Sequence, residues 1–245
     1  MPPRPAIADA LAALARALDG LHEADVAANP GGLLADDRGR AVSDIETALT
    51  ATLDAFGRLC RAVDAQFPDV PIDWYGAPEL AFVLALDTAR GRAGPPRPRS
   101  IYTWHADTAS RPSAIAQYVL VDFEYAVERA DAFDVFLSWR DLEDFFALPS
   151  PSRGLGAETV EAIREYLGSA HFPHYAAHHG LADDHVFFNV VPLLVNAGAA
   201  LALLLAPLVE HDAAARKLLG HRFASAAHAD TSRPQILCGP FLLPA

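Results

Sequence analysis

The chain has 245 residues, of which 52% are hydrophobic and 20% charged, a composition that supports one large folded domain. Its 31 acidic residues outnumber its 19 basic ones, which gives a formal net charge of −12. Nucleic acid and anionic membrane surfaces bind clusters of lysine and arginine, so neither is expected as the main partner.

The N-terminal part reads as helical. Apolar residues at spacings of three and four predict an amphipathic helix over residues 6–28. A second helix is predicted to begin at Ser43, because Glu46 three residues later completes a capping box. A third is predicted over residues 78–92. The proline-rich stretch 93–99 that follows is a candidate internal linker, although we expect a single domain over the whole chain.

The middle of the chain leaves two alternatives open. Val119, Val121 and Phe123 alternate with more polar neighbours, as in a half-buried strand, and this favours a small antiparallel β hairpin at about residues 116–139. A helix is the alternative, because Ser110-Arg111-Pro112 resembles a helix start. The predicted fold class is therefore mainly α, a multi-helix globular domain that has at most a small hairpin.

Residues 186–209 contain no charged side chain. We interpret this stretch as a helix buried in the bundle, apolar all round. A membrane span is the less favoured alternative, because Asn189, Pro192 and Asn196 interrupt it. A third alternative is an apolar subunit interface.

Histidines are concentrated in one region, since eight of the ten lie between His171 and His228. His174 and His178 are four residues apart and would share a helix face, a spacing at which neutral imidazoles can chelate a transition metal. On the predicted helix that follows, His185 and Asn189 would continue a polar line.

A second cluster comes from an internal echo, because residues 105–112 resemble residues 228–234. His105 and Asp107 are two apart and would project from one side of an extended strand, as in half of a two-histidine, one-carboxylate iron site. The competing interpretation is that these residues form a turn and a helix cap before a proline.

The leading functional hypothesis is a metal-dependent hydrolase or oxidase acting on a small organic molecule. The predicted ligands of its divalent iron, zinc or manganese ion are His105, Asp107, His174, His178 and His185. His179 would be a ligand or proton shuttle, and Asn189 an orienting hydrogen-bond partner. The rival hypothesis is a non-catalytic binding or partner protein. It would be a subunit of a homo- or hetero-oligomer, with an apolar interface or a lipophilic cavity around residues 186–209.

Three further patterns are less specific. His211-Asp212 resembles the metal-binding pair of the HD superfamily of phosphohydrolases, a resemblance limited to residues 178–230 that implies a metal-dependent phosphohydrolase. Neighbouring carboxylates such as Asp122 and Glu124 are interpreted as a solvated face. Because no apolar signal segment follows the N-terminus, a cytoplasmic location is expected.

Overall fold

The computed structural model describes residues 7–28, 32–108, 116–125, 134–149, 155–224 and 228–241. The described helices of the N-terminal part are α1 (Ile7–Ala28), α2 (Leu33–Asp36), α3 (Arg38–Gln66), α4 (Pro78–Arg90) and α5 (Ile101–Thr108). Those of the C-terminal part are α6 (Trp139–Phe146), α7 (Ala157–Leu167), α8 (Phe172–His178), α9 (Val191–Leu205) and α10 (Ala213–Leu218). The strands are β1 (Ala116–Tyr125), β2 (Phe136–Ser138), β3 (Val186–Asn189) and β4 (Ala229–Phe241).

The four strands form one sheet in the order β2-β3-β1-β4. β1 and β3 run parallel, with Val121 in register with Phe188. β4 is antiparallel to β1, and β2 is antiparallel to β3. The connection between the parallel strands contains α6, α7 and α8, so the sheet has a βαβ-type crossover within a mainly helical chain.

Side chains alternate across the sheet and divide its two faces. Val119 and Val121 of β1 and Phe188 of β3 belong to the main hydrophobic core, which also contains the apolar sides of α1, α3, α4 and α9. Tyr118 and Phe187 point to the opposite face, where they form a smaller cluster with Trp104 and Ile101 of α5.

The predicted start of the second helix is wrong by five residues. Helix α3 begins at Arg38, and the Asp37 carboxylate caps it by accepting a hydrogen bond from the Arg40 N–H at 3.1 Å. Glu46 therefore makes no capping box. It pairs instead with Arg90 of α4, whose side chain is only 2% exposed.

The mainly helical fold class is confirmed, and both segments of the predicted hairpin contain strands. Their pairing differs from the prediction, because β3 lies between β1 and β2. The apolar stretch 186–209 is not one helix but β3 followed by α9, so His185 and Asn189 share no helix face. Within the described ranges, no helix has both the length and the apolar character needed to cross a bilayer.

The prolines of β4 determine which of its backbone groups face outward. Pro234 and Pro240 are paired with Phe123 and Gln117 of β1, and a residue without an N–H cannot belong to a hydrogen-bonded antiparallel pair. Because the two kinds of pair alternate, residues 235, 237 and 239 bond to β1, whereas Ile236 and Cys238 direct their N–H groups away from it.

Candidate functional site

Polar side chains lie where the parallel pairing of β1 with β3 ends. Asp122 follows Val121 in β1, and Asn189 is the last residue of β3, so the register of Val121 with Phe188 makes Asp122 and Asn189 neighbours. Both lie on the face opposite the main core. Ligand sites in sheets with parallel strands typically form at the carboxyl ends of those strands.

Asn189 uses its whole side-chain amide within this cluster and is only 1% exposed. Its Oδ1 accepts hydrogen bonds from the Val135 N–H at 3.2 Å and the Val191 N–H at 3.1 Å. These two bonds fix the orientation of the amide. Its Nδ2 then donates to Asp122 Oδ1 at 2.8 Å and to Asp134 Oδ1 at 2.7 Å.

Asp134 has a strongly altered acidity. Burial, the neighbouring Asp122 carboxylate and Asp25 of α1 raise the pKa of Asp134 to about 6, although the hydrogen bond from Asn189 lowers it. Repulsion between close carboxylates is partly relieved when one of them keeps its proton. Below about pH 6 Asp134 therefore mostly keeps its proton, and Asp134 is itself an exposed residue.

The two carboxyl groups of this cluster lie close together. Because both Oδ1 atoms accept from the same Asn189 nitrogen, they can be no more than about 5.5 Å apart, the sum of the two bonds. Two carboxyl groups at this distance, held by a rigid buried donor, can give a proton to one atom of a substrate and take one from another. This Asp122–Asn189–Asp134 group is called the carboxyl site below.

His185 lies at the other end of β3, in a single turn that precedes the strand. Its Nδ1 is 2.8 Å from Asp184 Oδ1, and its ring stacks on Tyr118 at a centroid distance of 5.7 Å. The ring also meets Trp104 edge-on at 5.3 Å. His185 and Asn189 are therefore separated by the length of β3 and belong to different surroundings.

The other predicted histidine ligands lie on or next to α8. His174, His178 and His179 are all exposed, and the rings of His178 and His179 are 5.1 Å apart. Across the described part of the chain, no group of three or more histidine, cysteine, aspartate or glutamate side chains is arranged to hold a metal ion. The metal site remains a prediction, and the described side chains do not bring its proposed ligands together.

The segment of His105 and Asp107 is helical, in α5, so the extended strand that would have placed both side chains on one side is not present there. Residues two apart on a helix do not share a face. Asp107 is exposed, and its Oδ2 accepts a hydrogen bond from Arg99 at 3.3 Å. The side chain of His105 lies outside the described part of the structure.

The His211-Asp212 pair has a structural explanation. Asp212 precedes α10, and its Oδ1 accepts hydrogen bonds from the N–H groups of Ala214 and Ala215, both at 3.0 Å. His211 is exposed. An aspartate that caps a short helix accounts for this pair without a metal.

The sequence points to Asn189 but misses the two carboxylates that it holds. Asp122 is 67 positions away from Asn189, and Asp134 is 55 positions away. One sequence feature could have pointed to Asp122: it lies two residues from Glu124, although the two carboxylates are interpreted above as a solvated face. Asp122 instead faces the buried amide, whereas Glu124 is exposed and accepts a hydrogen bond from Gln235 on β4.

Comparison with known proteins gives no relative. No known protein family, curated protein or solved structure matches this chain. Functional inference therefore depends on the chemistry of the described side chains.

Proposed function

We propose that the protein is an enzyme that transfers protons with the carboxyl site, using Asp134 as general acid and Asp122 as general base on a small polar molecule. The observation that carries the proposal is the buried Asn189 amide, which holds two carboxyl groups on one nitrogen. A strongly perturbed acid that has a specific charged neighbour is a frequent property of active sites.

The two aspartates receive different roles from their surroundings. The raised pKa of Asp134, about 6, lets it keep a proton in weakly acidic solution and donate it to a leaving atom. Asp122 accepts the proton of the attacking group. Asn189 is a positioning residue, since its orientation is fixed by the backbone N–H groups of Val135 and Val191.

This proposal keeps the expectation of an enzyme but replaces the metal-dependent chemistry expected at the histidines with acid–base chemistry at the sheet. Hydrolysis of a polar bond fits the pair best, because one carboxyl group protonates the leaving group while the other activates water. The substrate would approach over the open side of Asp134, beside the half-buried Leu120 and Phe136.

The first test is a titration of the aspartate carboxyl carbons by NMR. We expect Asp134 to titrate near pH 6 and to shift toward its ordinary value in Asp122→Asn, because a neighbouring negative charge is removed. Asp144→Asn is the matched control, because Asp144 is an exposed partner of Arg140 on α6. An Asp134 that titrates near 4 would contradict the proposal.

The second test is activity on a panel of chromogenic esters, glycosides and phosphate esters. We expect turnover of one class that declines above about pH 6 as Asp134 loses its proton. Asp134→Asn should lower the rate by about a hundredfold or more, as should Asp122→Asn, while Asp144→Asn retains it. A rate that survives both site variants unchanged would remove the pair from catalysis.

A further inference from the structure

The C-terminal end of α9 exposes apolar side chains to solvent. Leu203 is 78% exposed, which makes it the most exposed of the described large hydrophobic residues. Ala206 and Pro207 just beyond the helix are also exposed, and Leu204 and Leu208 are half-buried. The apolar stretch from Leu203 to Leu208 therefore extends from the buried core to the surface. A contiguous exposed apolar patch of this kind often marks an interaction site, whereas a single exposed leucine does not.

A groove lies beside this run, between α9 and the first turn of α4. Its volume is about 510 Å³, enough to admit a few side chains of a partner. Its apolar lining comes from Leu80, Ala200, Leu203 and Leu204, of which Leu203 is the most exposed. We call this surface the α4/α9 groove.

The charges around the α4/α9 groove have one sign. Asp73 and Glu79 line it, and its described lining contains no lysine or arginine. The last turn of α9 contains no basic residue either, so no side chain of that turn offsets the negative end of the helix dipole. An apolar groove that has an acidic rim is complementary to a helix with one apolar face and basic flanks.

We propose that the α4/α9 groove binds a basic amphipathic helix of a partner protein, with Leu203 as the central contact. A second copy of this chain fits less well, because each copy has a formal net charge of −12 and would bring the same acidic rim against itself. An anionic membrane surface is disfavoured for the same reason. This surface is distinct from the carboxyl site and does not depend on its chemistry.

The experiment measures the binding of a labelled synthetic peptide to the full chain by fluorescence anisotropy. The peptide is an amphipathic helix of leucine and lysine, about four turns long. We expect saturable binding by this peptide. A leucine/glutamate helix and a lysine/serine helix should bind at least about tenfold more weakly, because the first lacks charge complementarity and the second lacks an apolar face.

Variants locate the binding on the protein. Leu203→Ser should weaken binding about tenfold or more, and Asp73→Asn with Glu79→Gln should weaken it and reduce its dependence on salt. Leu237→Ser is the matched control, because Leu237 is 54% exposed and lies on β4. Equal binding by the Leu203 and Leu237 variants would overturn the proposal, since it would mean that the acidic chain attracts the peptide nonspecifically.

Two other outcomes also overturn it. The first is a dimer, seen by sedimentation velocity without peptide, that Leu203→Ser dissociates, because the occupant would then be a second copy. The second is Leu203-dependent binding to vesicles of phosphatidylcholine with no preference for the leucine/lysine helix, because the surface would then bind lipid.

Discussion

Asn189 Nδ2 lies 2.7 Å from Asp134 Oδ1, so a buried amide at the end of β3 holds an acid that precedes β2. The same nitrogen holds Asp122 of β1. One side chain thus ties together three adjacent strands of the sheet, and the stability of the sheet and the acidity of Asp134 depend on the same hydrogen bonds.

The raised pKa of Asp134 predicts that the site lowers stability at high pH. A carboxyl group whose pKa rises from 3.8 unfolded to about 6 folded binds protons more tightly in the folded state. The free energy of unfolding therefore falls as pH rises from about 4 to about 6.

Replacing Asp134 by asparagine should remove that effect, since the amide can still accept from Asn189 without a charge. We expect Asp134→Asn to raise the melting temperature by a few degrees at pH 8 and to leave it nearly unchanged at pH 4. Thermal unfolding followed by circular dichroism checks this, with Asp144→Asn as the control. A variant less stable than the parent at pH 8 would contradict it.

Asn189→Ala should destabilise the protein by about 3 kcal/mol or more, because it leaves two buried backbone N–H groups without acceptors and two carboxylates without their shared donor. Asn189→Asp keeps the acceptor for Val135 and Val191 but adds a third carboxylate. We expect its loss of stability to be large at pH 8 and smaller at pH 4.5, where the acids share protons. Urea unfolding at the two pH values measures both; a pH-independent loss for Asn189→Asp would argue against the charge effect.

The extent of agreement between sequence and structure follows from the range of the interactions. The amphipathic period of α1 and the alternation in β1 are local patterns, and both elements form where the sequence predicts them. β3 is missed because all four of its residues are buried, so Val186–Asn189 reads as the continuation of the apolar helix α9.

The candidate site was less accessible from sequence than the fold. A polar residue in an apolar run draws attention to Asn189, and in the structure its buried amide makes four hydrogen bonds. Its partners come from β1 and from the residue before Val135, and only the sheet order β2-β3-β1 brings them together. The histidine cluster lies on the exposed side of α8, where local spacing alone could not reveal that the rings face solvent.

The ion pair of Arg90 with Glu46 predicts a large effect on stability. Arg90 is buried, and its Nη1 donates to the Pro98 carbonyl at 2.7 Å while its Nη2 bonds Glu46. Burial alone would raise the pKa of Glu46, but the charge of Arg90 and hydrogen bonds from Arg90, Ser100 and Thr103 hold that pKa below its usual value. The pair therefore stabilises the fold at neutral pH, and its contribution is lost as pH falls below the ordinary pKa of 4.5.

Arg90→Ala should lower the free energy of unfolding by about 3–5 kcal/mol. The Glu46 carboxylate would lose its cationic partner, and the Pro98 carbonyl would lose its hydrogen-bond donor. The matched control is Arg40→Ala, which breaks an exposed pair with Asp44 and should change stability by no more than about 1 kcal/mol. Guanidinium unfolding of both variants gives the comparison. Similar losses for Arg40 and Arg90 would mean that burial of the pair adds nothing.

The prolines of β4 predict how the sheet edge avoids pairing with other chains. Only Ile236 and Cys238 direct N–H groups outward between Pro234 and Pro240, so another strand finds few donors there. Pro234→Thr with Pro240→Thr would add two outward donors on a segment that already exposes Leu237. We expect sedimentation velocity to show concentration-dependent association of this double variant, and weaker association of the parent at the same concentrations. Pro173→Thr on α8 is the control, and a double variant that sediments like the parent would show that the prolines do not protect this edge.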